Sequence, residues 1–318
     1  MKKTYIILMA AASLTLGACQ HKTHFEVDMP QDEQTDKYPA PDGIGYLGND
    51  LEWEDIFDVK SEITHLKYTV TGSNGVKEVR EFNTPAEASK WMLPLPVGEY
   101  DVLVAANMDR ANGFELGETV PTKVSHTLPA TYTKLTDASS NPKQAWNGIA
   151  HVTVEKNELS TVHLALDRLL ALFTLKITNV PDGTTIDVSM RNAAHYVTLT
   201  RERTAGHWGE PSTEISDDIT LGRITASNAL TGINEFKVFP TAQGLTYTTI
   251  FFHIKTNKGL DLDYEGQAPM MENGKKYVLE LDYAKLTPFM LITKGCSIND
   301  WEETWTYDGE ILNPQVEI

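Results

Sequence analysis

Along much of the chain apolar and polar residues alternate with a period of two, the signature of strands that bury one face. Leu66, Tyr68 and Val70 alternate with polar neighbours, Ser73-Asn74-Gly75 supplies a turn, and Val76 to Phe82 returns as the second arm of a hairpin. Thr84-Pro85-Ala86-Glu87 has the form of a capping box with proline at the first helical position, predicting one short helix that ends near Trp91. Leu93-Pro94-Leu95-Pro96-Val97-Gly98 stops it, and Tyr100 to Ala106 is the next strand. The polar stretch from Gly113 to Asn147 reads as loop with room for edge strands. Ala150 to Val154 and Thr161 to Leu166 form a hairpin across Lys156-Asn157.

Leu169 to Ile177 breaks the alternation. Leu169, Ala171, Phe173, Leu175 and Ile177 make one face apolar, and Leu170 and Leu172 do the same for the other. A strand with two dry faces is central in its sheet or joins two bodies. Pro181-Asp182-Gly183 closes it as a turn. Strands then resume at Thr185–Ser189, Tyr196–Thr200, Glu235–Phe239, Tyr247–Ile254, Lys276–Tyr283 and Phe289–Lys294, the cleanest alternation being Tyr277, Leu279, Leu281 and Tyr283. The pattern predicts an all-β protein, two sandwiches in series with a boundary near Asp167-Arg168.

The start of the chain follows another pattern. Lys2 and Lys3 precede a largely apolar run from Tyr5 to Leu16, too short to span a bilayer as a helix. Leu16-Gly17-Ala18-Cys19 then resembles the bacterial lipobox, in which the cysteine is acylated and becomes the mature N-terminus. The thioether to the lipid requires sulfur at that position, which makes Cys19 the lipidation site. The alternative is an ordinary signal peptide cut near Ala18, leaving a free thiol. Residues 1–18 are thus a signal peptide and 19–50 an acidic, proline-broken, lipid-anchored tether. Residues 51–167 and 168–318 form the two sandwiches. Trp53, Ile56 and Phe57 are available to dock the end of the tether on the first of them.

Charge and cysteine usage narrow the function. The net charge of −17 argues against nucleic acid and against electrostatic binding to anionic lipid. Only two cysteines exist, so with Cys19 acylated, Cys296 has no intramolecular partner and the fold rests on packed cores. The nine histidines, 21, 24, 65, 126, 151, 163, 195, 207 and 253, form no zinc-binding spacing. His65, His163 and His253 fall within predicted strands as structural residues. Asp261, Asp263, Glu265, Gly266 and Glu272 match a calcium loop at positions one, three, five, six and twelve. Their flanks read as strands, and Pro269 stiffens the loop, so a solvated acidic hairpin loop is the better reading. Asp217-Asp218 and Glu302-Glu303 are neighbours that point to opposite faces of a strand and cannot share a catalytic site. No enzyme, metal or small-molecule cofactor is indicated.

Three motifs in order carry a resemblance beyond the lipobox: Leu95-Pro96-Val97-Gly98-Glu99-Tyr100-Asp101-Val102; Val162-His163-Leu164-Ala165-Leu166-Asp167-Arg168-Leu169-Leu170-Ala171; and Ile298-Asn299-Asp300-Trp301-Glu302-Glu303. Together they resemble the fimbrillin superfamily of Bacteroidales-type fimbriae, most of all its lipoprotein anchor and accessory subunits. The resemblance implies two tandem transthyretin-like β-sandwich domains. It also implies fimbrial subunits as partners, bound by β-strand exchange, and an outer-membrane, surface-exposed location through the N-terminal lipid. Polymerising members are cut after a basic residue between tether and first domain. Here the first arginine is Arg80, and Lys22, Lys37 and Lys60 are the only lysines between Cys19 and Ile63, which favours a subunit that keeps its lipid. A surface glycan-binding lipoprotein is the alternative, with Trp91, Trp146, Trp208 and Trp305 as candidate recognition aromatics.

Overall fold

The computed structural model describes residues 43–53, 59–118, 131–283, 293–300 and 304–307. The first stretch holds β1 (Ile44–Trp53), β2 (Leu66–Gly72), β3 (Lys77–Phe82), the one-turn helix α1 (Pro85–Ala88), β4 (Met92–Pro96) and β5 (Gly98–Ala106). It continues through β6 (Phe114–Glu118), β7 (Thr131–Leu135), β8 (Trp146–Val154) and β9 (Leu159–Arg168). Then come β10 (Ala171–Thr178), β11 (Thr185–Arg191), β12 (Tyr196–Thr204), β13 (His207–Pro211), β14 (Ile219–Thr225) and β15 (Ile233–Val238). The last are β16 (Tyr247–Lys255), β17 (Asp261–Pro269), β18 (Lys275–Asp282), β19 (Thr293–Asp300) and β20 (Thr304–Tyr307). The protein is all-β, as its periodicity predicts. In α1 the Thr84 hydroxyl accepts the Glu87 N–H at 3.2 Å, and the Glu87 carboxylate reaches back one residue past the cap to accept the Asn83 N–H at 3.0 Å, a variant of the capping box.

The first body is one ribbon of seven strands in the order β3-β2-β5-β8-β9-β1-β4. The register between β8 and β9 is confined to Trp146↔Arg168 and Asn147↔Asp167. The ribbon turns at that corner, laying β9, β1 and β4 over the other four. Leu47, Tyr68, Tyr100, Val102, Trp146 and Leu164 meet in the core between them. The expected hairpin therefore opens: its arms leave the corner for opposite sheets, and β9 takes β1 as its partner instead. Alternation records which face a strand buries and is silent about which strand lies beside it.

The second body packs β15-β10-β18-β19-β20 against β14-β11-β16-β17. β10 lies between β15 and β18, and residues Ala171 to Leu175 are buried on both faces, so the two dry faces do mark a central strand. The predicted strand Phe289–Lys294 lies mostly outside the described residues, and β19 begins at Thr293. The two cores change over between Leu166 and Ala171.

A third sheet departs from the expectation of two bodies simply in series. Its order is β13-β12-β7-β6, so a hairpin from the first half pairs with one from the second, through Tyr196↔Lys134, Val197↔Thr133 and Thr198↔Tyr132. Phe114 and Leu103 share a core beneath it with Leu169, Val197, Leu199 and Phe239. β6 and β7 occupy the polar stretch read mainly as loop. Polar residues dominate there because only one side of this sheet is packed.

Candidate functional site

Sequence places the tether through residue 50, but β1 begins at Ile44, inside that stretch. Its composition conceals it: Gly45, Gly48, Asn49 and Asp50 are poor strand formers. What makes it a strand is pairing on both sides. It runs parallel to β9 from Tyr46↔Leu159 to Trp53↔Leu166, and antiparallel to β4 from Ile44↔Pro96 to Gly48↔Met92. The Gly43 carbonyl accepts from the Val97 N–H at 2.9 Å, and the Tyr46 N–H donates to the Glu158 carbonyl at 2.9 Å.

The inward face of β1 carries Gly45, Leu47 and Asn49. A Cβ on Gly45 would lie 2.0 Å from the Glu155 carbonyl oxygen, so no other residue fits that position without backbone movement. Leu47 is fully buried. Asn49, 5% exposed, crosses the sandwich. Its Nδ2 donates to the Ala88 carbonyl at the end of α1 at 2.8 Å, and its Oδ1 accepts from the Tyr68 hydroxyl of β2 at 3.0 Å. Tyr68 is itself fully buried, and its ring lies 5.3 Å from Trp91 and 5.6 Å from Phe82. Burial pushes the Tyr68 phenol far above its usual range, so it remains a hydrogen-bond donor. On the outward face His163 Nδ1 lies 3.3 Å from Asp50 Oδ2. β4, at the edge, has exposed Pro94 and Pro96, which offer no N–H to a further strand. The slot of β1 is thus an interior position beside a blunted edge.

The other candidate residues scatter. Cys19, His21, His24, Lys22, Lys37, His126 and Glu302-Glu303 lie outside the described residues. Cys296 sits on β19 opposite Leu279. Asp261, Asp263 and Glu265 belong to a strand, correcting the acidic hairpin loop. Asp263 accepts from His253 at 2.6 Å, and Asp261 lies 3.3 Å from the other nitrogen of that ring. A straight strand cannot wrap these oxygens around an ion as a calcium loop does. Asp218 is held by Arg191 through two bonds of 2.7 and 2.8 Å, which lower its carboxyl below the usual range. His151 bridges Asp101 at 3.0 Å and Glu99 at 2.6 Å, and these bonds, Asp101 first, raise its pKa. His65 precedes β2 rather than lying within it, and its buried Nδ1 makes no hydrogen bond. Asp167 is 3% exposed and accepts from the Trp208 N–H at 3.0 Å and from His207 at 3.1 Å.

Of the tryptophans considered as a recognition face, Trp91 and Trp146 are core residues. Trp208 is half-buried on β13, and Trp305 lies on β20. Tyr132 and Tyr196, which no motif marks in the sequence, bring their ring centroids 5.4 Å apart on the third sheet. Asn49 has as its only sequence signal an aliphatic residue and a glycine spaced by two before it.

A family model described as fimbrillin-A associated anchor proteins Mfa1 and Mfa2 matches residues 56–307, beginning just after β1. No curated protein matches the sequence. Among solved structures, a candidate adhesin from Bacteroides thetaiotaomicron VPI-5482 is similar at 12% identity and a TM-score of 0.53, over 86% of this chain and all of that one. Another protein of that strain, titled a candidate polysaccharide-binding protein, is 11% identical with a TM-score of 0.51 over 84% of this chain and 98% of its own. A fimbrial assembly protein from Parabacteroides distasonis ATCC 8503 is 13% identical with a TM-score of 0.48, over 83% and 98%. At these identities the first two establish a shared fold.

Proposed function

The chain belongs to the family of fimbrillin-A associated anchor proteins, and from that membership we propose that it is a lipid-anchored fimbrial subunit that keeps its own first strand and joins its neighbours by β-strand exchange. A cell-surface fimbrial adhesion subunit is what membership of that family means. The observation that carries the finer reading is the place of β1. It is the first strand after the tether, it fills an interior slot between β9 and β4, and its composition gives it little strand tendency of its own. Such a strand is held by its slot, and another extended segment with the right inward residues can take that place by the same main-chain bonds.

The order of basic residues along the chain supports retention. A cut after Lys37 would remove the lipidated segment and leave β1 attached. A cut after Lys60, in the 3₁₀ turn Val59–Glu62, would detach β1 as well. No arginine precedes Arg80, which lies within β3. The span from Cys19 to Ile44 allows a reach of at most about 90 Å from the outer membrane, enough to hold the body clear of the lipid headgroups. The two sandwiches are taken to divide near Asp167-Arg168. The glycan-binding alternative loses Trp91 and Trp146, which are needed in the core.

The test is to isolate the protein from detergent-solubilised membranes of cells assembling fimbriae, identify what co-purifies, and measure the mass of the mature N-terminus. An acylated chain starting at Cys19 with fimbrial subunits attached is expected. A lipid-free chain starting after Lys60 would make it a polymerising stalk subunit. An intact lipoprotein without fimbrial partners would favour the glycan-binding reading.

A further inference from the structure

We infer that the slot of β1 is selective for a carboxamide: any strand seated there, β1 or a replacement, must carry asparagine at the Asn49 position. The inference rests on the strand-exchange reading above and specifies the chemistry of the segment that the slot accepts. The inward-facing code is glycine, then an aliphatic residue two positions on, then asparagine two further, as in Gly45, Leu47 and Asn49.

The chemistry follows from what faces Asn49. Tyr68 presents a hydroxyl that donates, on a ring locked between Trp91 and Phe82. Ala88 presents a carbonyl, which only accepts and already takes the Trp91 N–H at 3.1 Å. One donor and one acceptor on opposite sides of a side chain three bonds long call for a group with one of each, and the asparagine amide supplies both. Leucine has the same branched heavy-atom skeleton, with bulkier ends, but leaves the buried Tyr68 hydroxyl without a partner, which is where most of the loss arises. Ionised aspartate satisfies Tyr68 and turns its second oxygen toward the Ala88 oxygen, lone pair against lone pair. Glutamine is a methylene too long for a core without slack. Rejection by unpaired buried polar groups discriminates more sharply than a missing methyl group does.

The register consequence is separate from affinity. A strand that slips by one residue in the slot would present an outward residue to Tyr68; a slip by two in one direction would press Leu47 against Glu155 where only glycine fits, and in the other would seat Gly43 there but turn Leu47 toward the Tyr68 hydroxyl. Asn49 and Gly45 together admit one alignment.

The experiment uses the full chain with a site-specific protease sequence in place of residues 54–58, cut after folding so that β1 remains seated but exchangeable. Labelled peptides of residues 42–55, native or with Asn49→Leu or Asn49→Asp, are added in sub-denaturing urea, and incorporation is followed by fluorescence anisotropy. The native peptide should enter at least tenfold more than either variant. In a Tyr68→Phe receptor that preference over the leucine peptide should collapse, whereas a merely structural role for Tyr68 would lower all three alike. Equal incorporation of native and leucine peptides into the unmodified receptor would overturn the selectivity while leaving strand exchange intact. Failure of every peptide, with β1 still seated after cutting, would overturn the exchange reading and this inference with it.

Discussion

Replacing Asp167 by alanine should destabilise the protein by about 3 kcal/mol, since it strips the partners from a buried corner. The carboxylate sits where β9 ends, is almost inaccessible, and accepts from the Trp208 N–H at 3.0 Å and His207 Nδ1 at 3.1 Å, with Arg203 at 3.7 Å. Hydrogen bonds to a charged group contribute roughly 1.5–3 kcal/mol each. The His207 and Arg203 side chains are 46% and 21% exposed, so water replaces much of what they lose. The Trp208 N–H is part-buried and has less recourse to solvent, so it and the desolvated corner account for most of the loss. Asp167→Asn keeps one acceptor for Trp208 and should lose roughly half as much. Urea unfolding followed by tryptophan fluorescence measures this: with a slope near 3 kcal/mol/M, the alanine variant's midpoint should fall by about 1 M. Asp261→Ala, which removes an exposed carboxylate from β17, is the control and should move the midpoint little. Equal shifts for Asp167→Ala and the control, or an alanine midpoint within about 0.2 M of the parent, would refute the reasoning.

Cys19→Ser in the precursor should abolish acylation and release the protein from the membrane fraction; equal partitioning with the parent would remove the lipoprotein reading. In native-state hydrogen exchange β10 should be among the slowest segments, since both of its sheet neighbours and both of its faces are covered, and fast exchange there would contradict that placement. Melting with calcium and with chelator should coincide; a calcium-dependent rise lost in Asp263→Ala would show an ion bound on β17 after all. The raised pKa of His151 means that its contribution to stability is complete below the ordinary histidine pKa and is lost as pH rises through the raised value. Asp187, lowered chiefly by its bond to Arg223, acts in the opposite sense: its contribution holds above the ordinary carboxylate pKa and disappears as pH falls through the lowered one. NMR titration of His151, and acid unfolding of Asp187→Asn against the parent, measure the two.

Elements with one packed face and one wet face were legible from sequence, because alternation is a direct record of that asymmetry. β2, β16 and β18 are of this kind, and the burial of β10 on both faces was legible for the complementary reason; β5 is wet on one face only at Glu99 and Asp101 and is covered on both from Val102 onward. β1 was not legible. Over Ile44 to Asp50 its inward residues are a glycine, one leucine and an asparagine, and on the outside Ile44 and Tyr46 give way to Gly48 and Asp50, too short a run to read as a strand, so the pairing that makes it one comes from β9 and β4. β4 was hidden by Pro94 and Pro96, read as a stop when their effect is to blunt an edge. The acidic hairpin loop expected at β17 shows the converse error. Acids at alternate positions are equally the spacing of a strand's outer face, and His253 on the neighbouring strand gives two of them a partner.

The third sheet has a consequence for the order in which the molecule can be made. β7 waits for β12, more than sixty residues further along the chain, and until that hairpin arrives Leu103, Ala105 and Phe114 lack the part of their cover that Val197, Leu199 and Phe239 supply. Contacts of such sequence separation are slow to form. The first half therefore cannot complete its folding before the second is present, and it carries a sticky surface through that interval. A chain built this way matures in one late step, when β12 and β13 close over the waiting hairpin. A truncation that spared every residue of the first sandwich would still leave a product prone to aggregate.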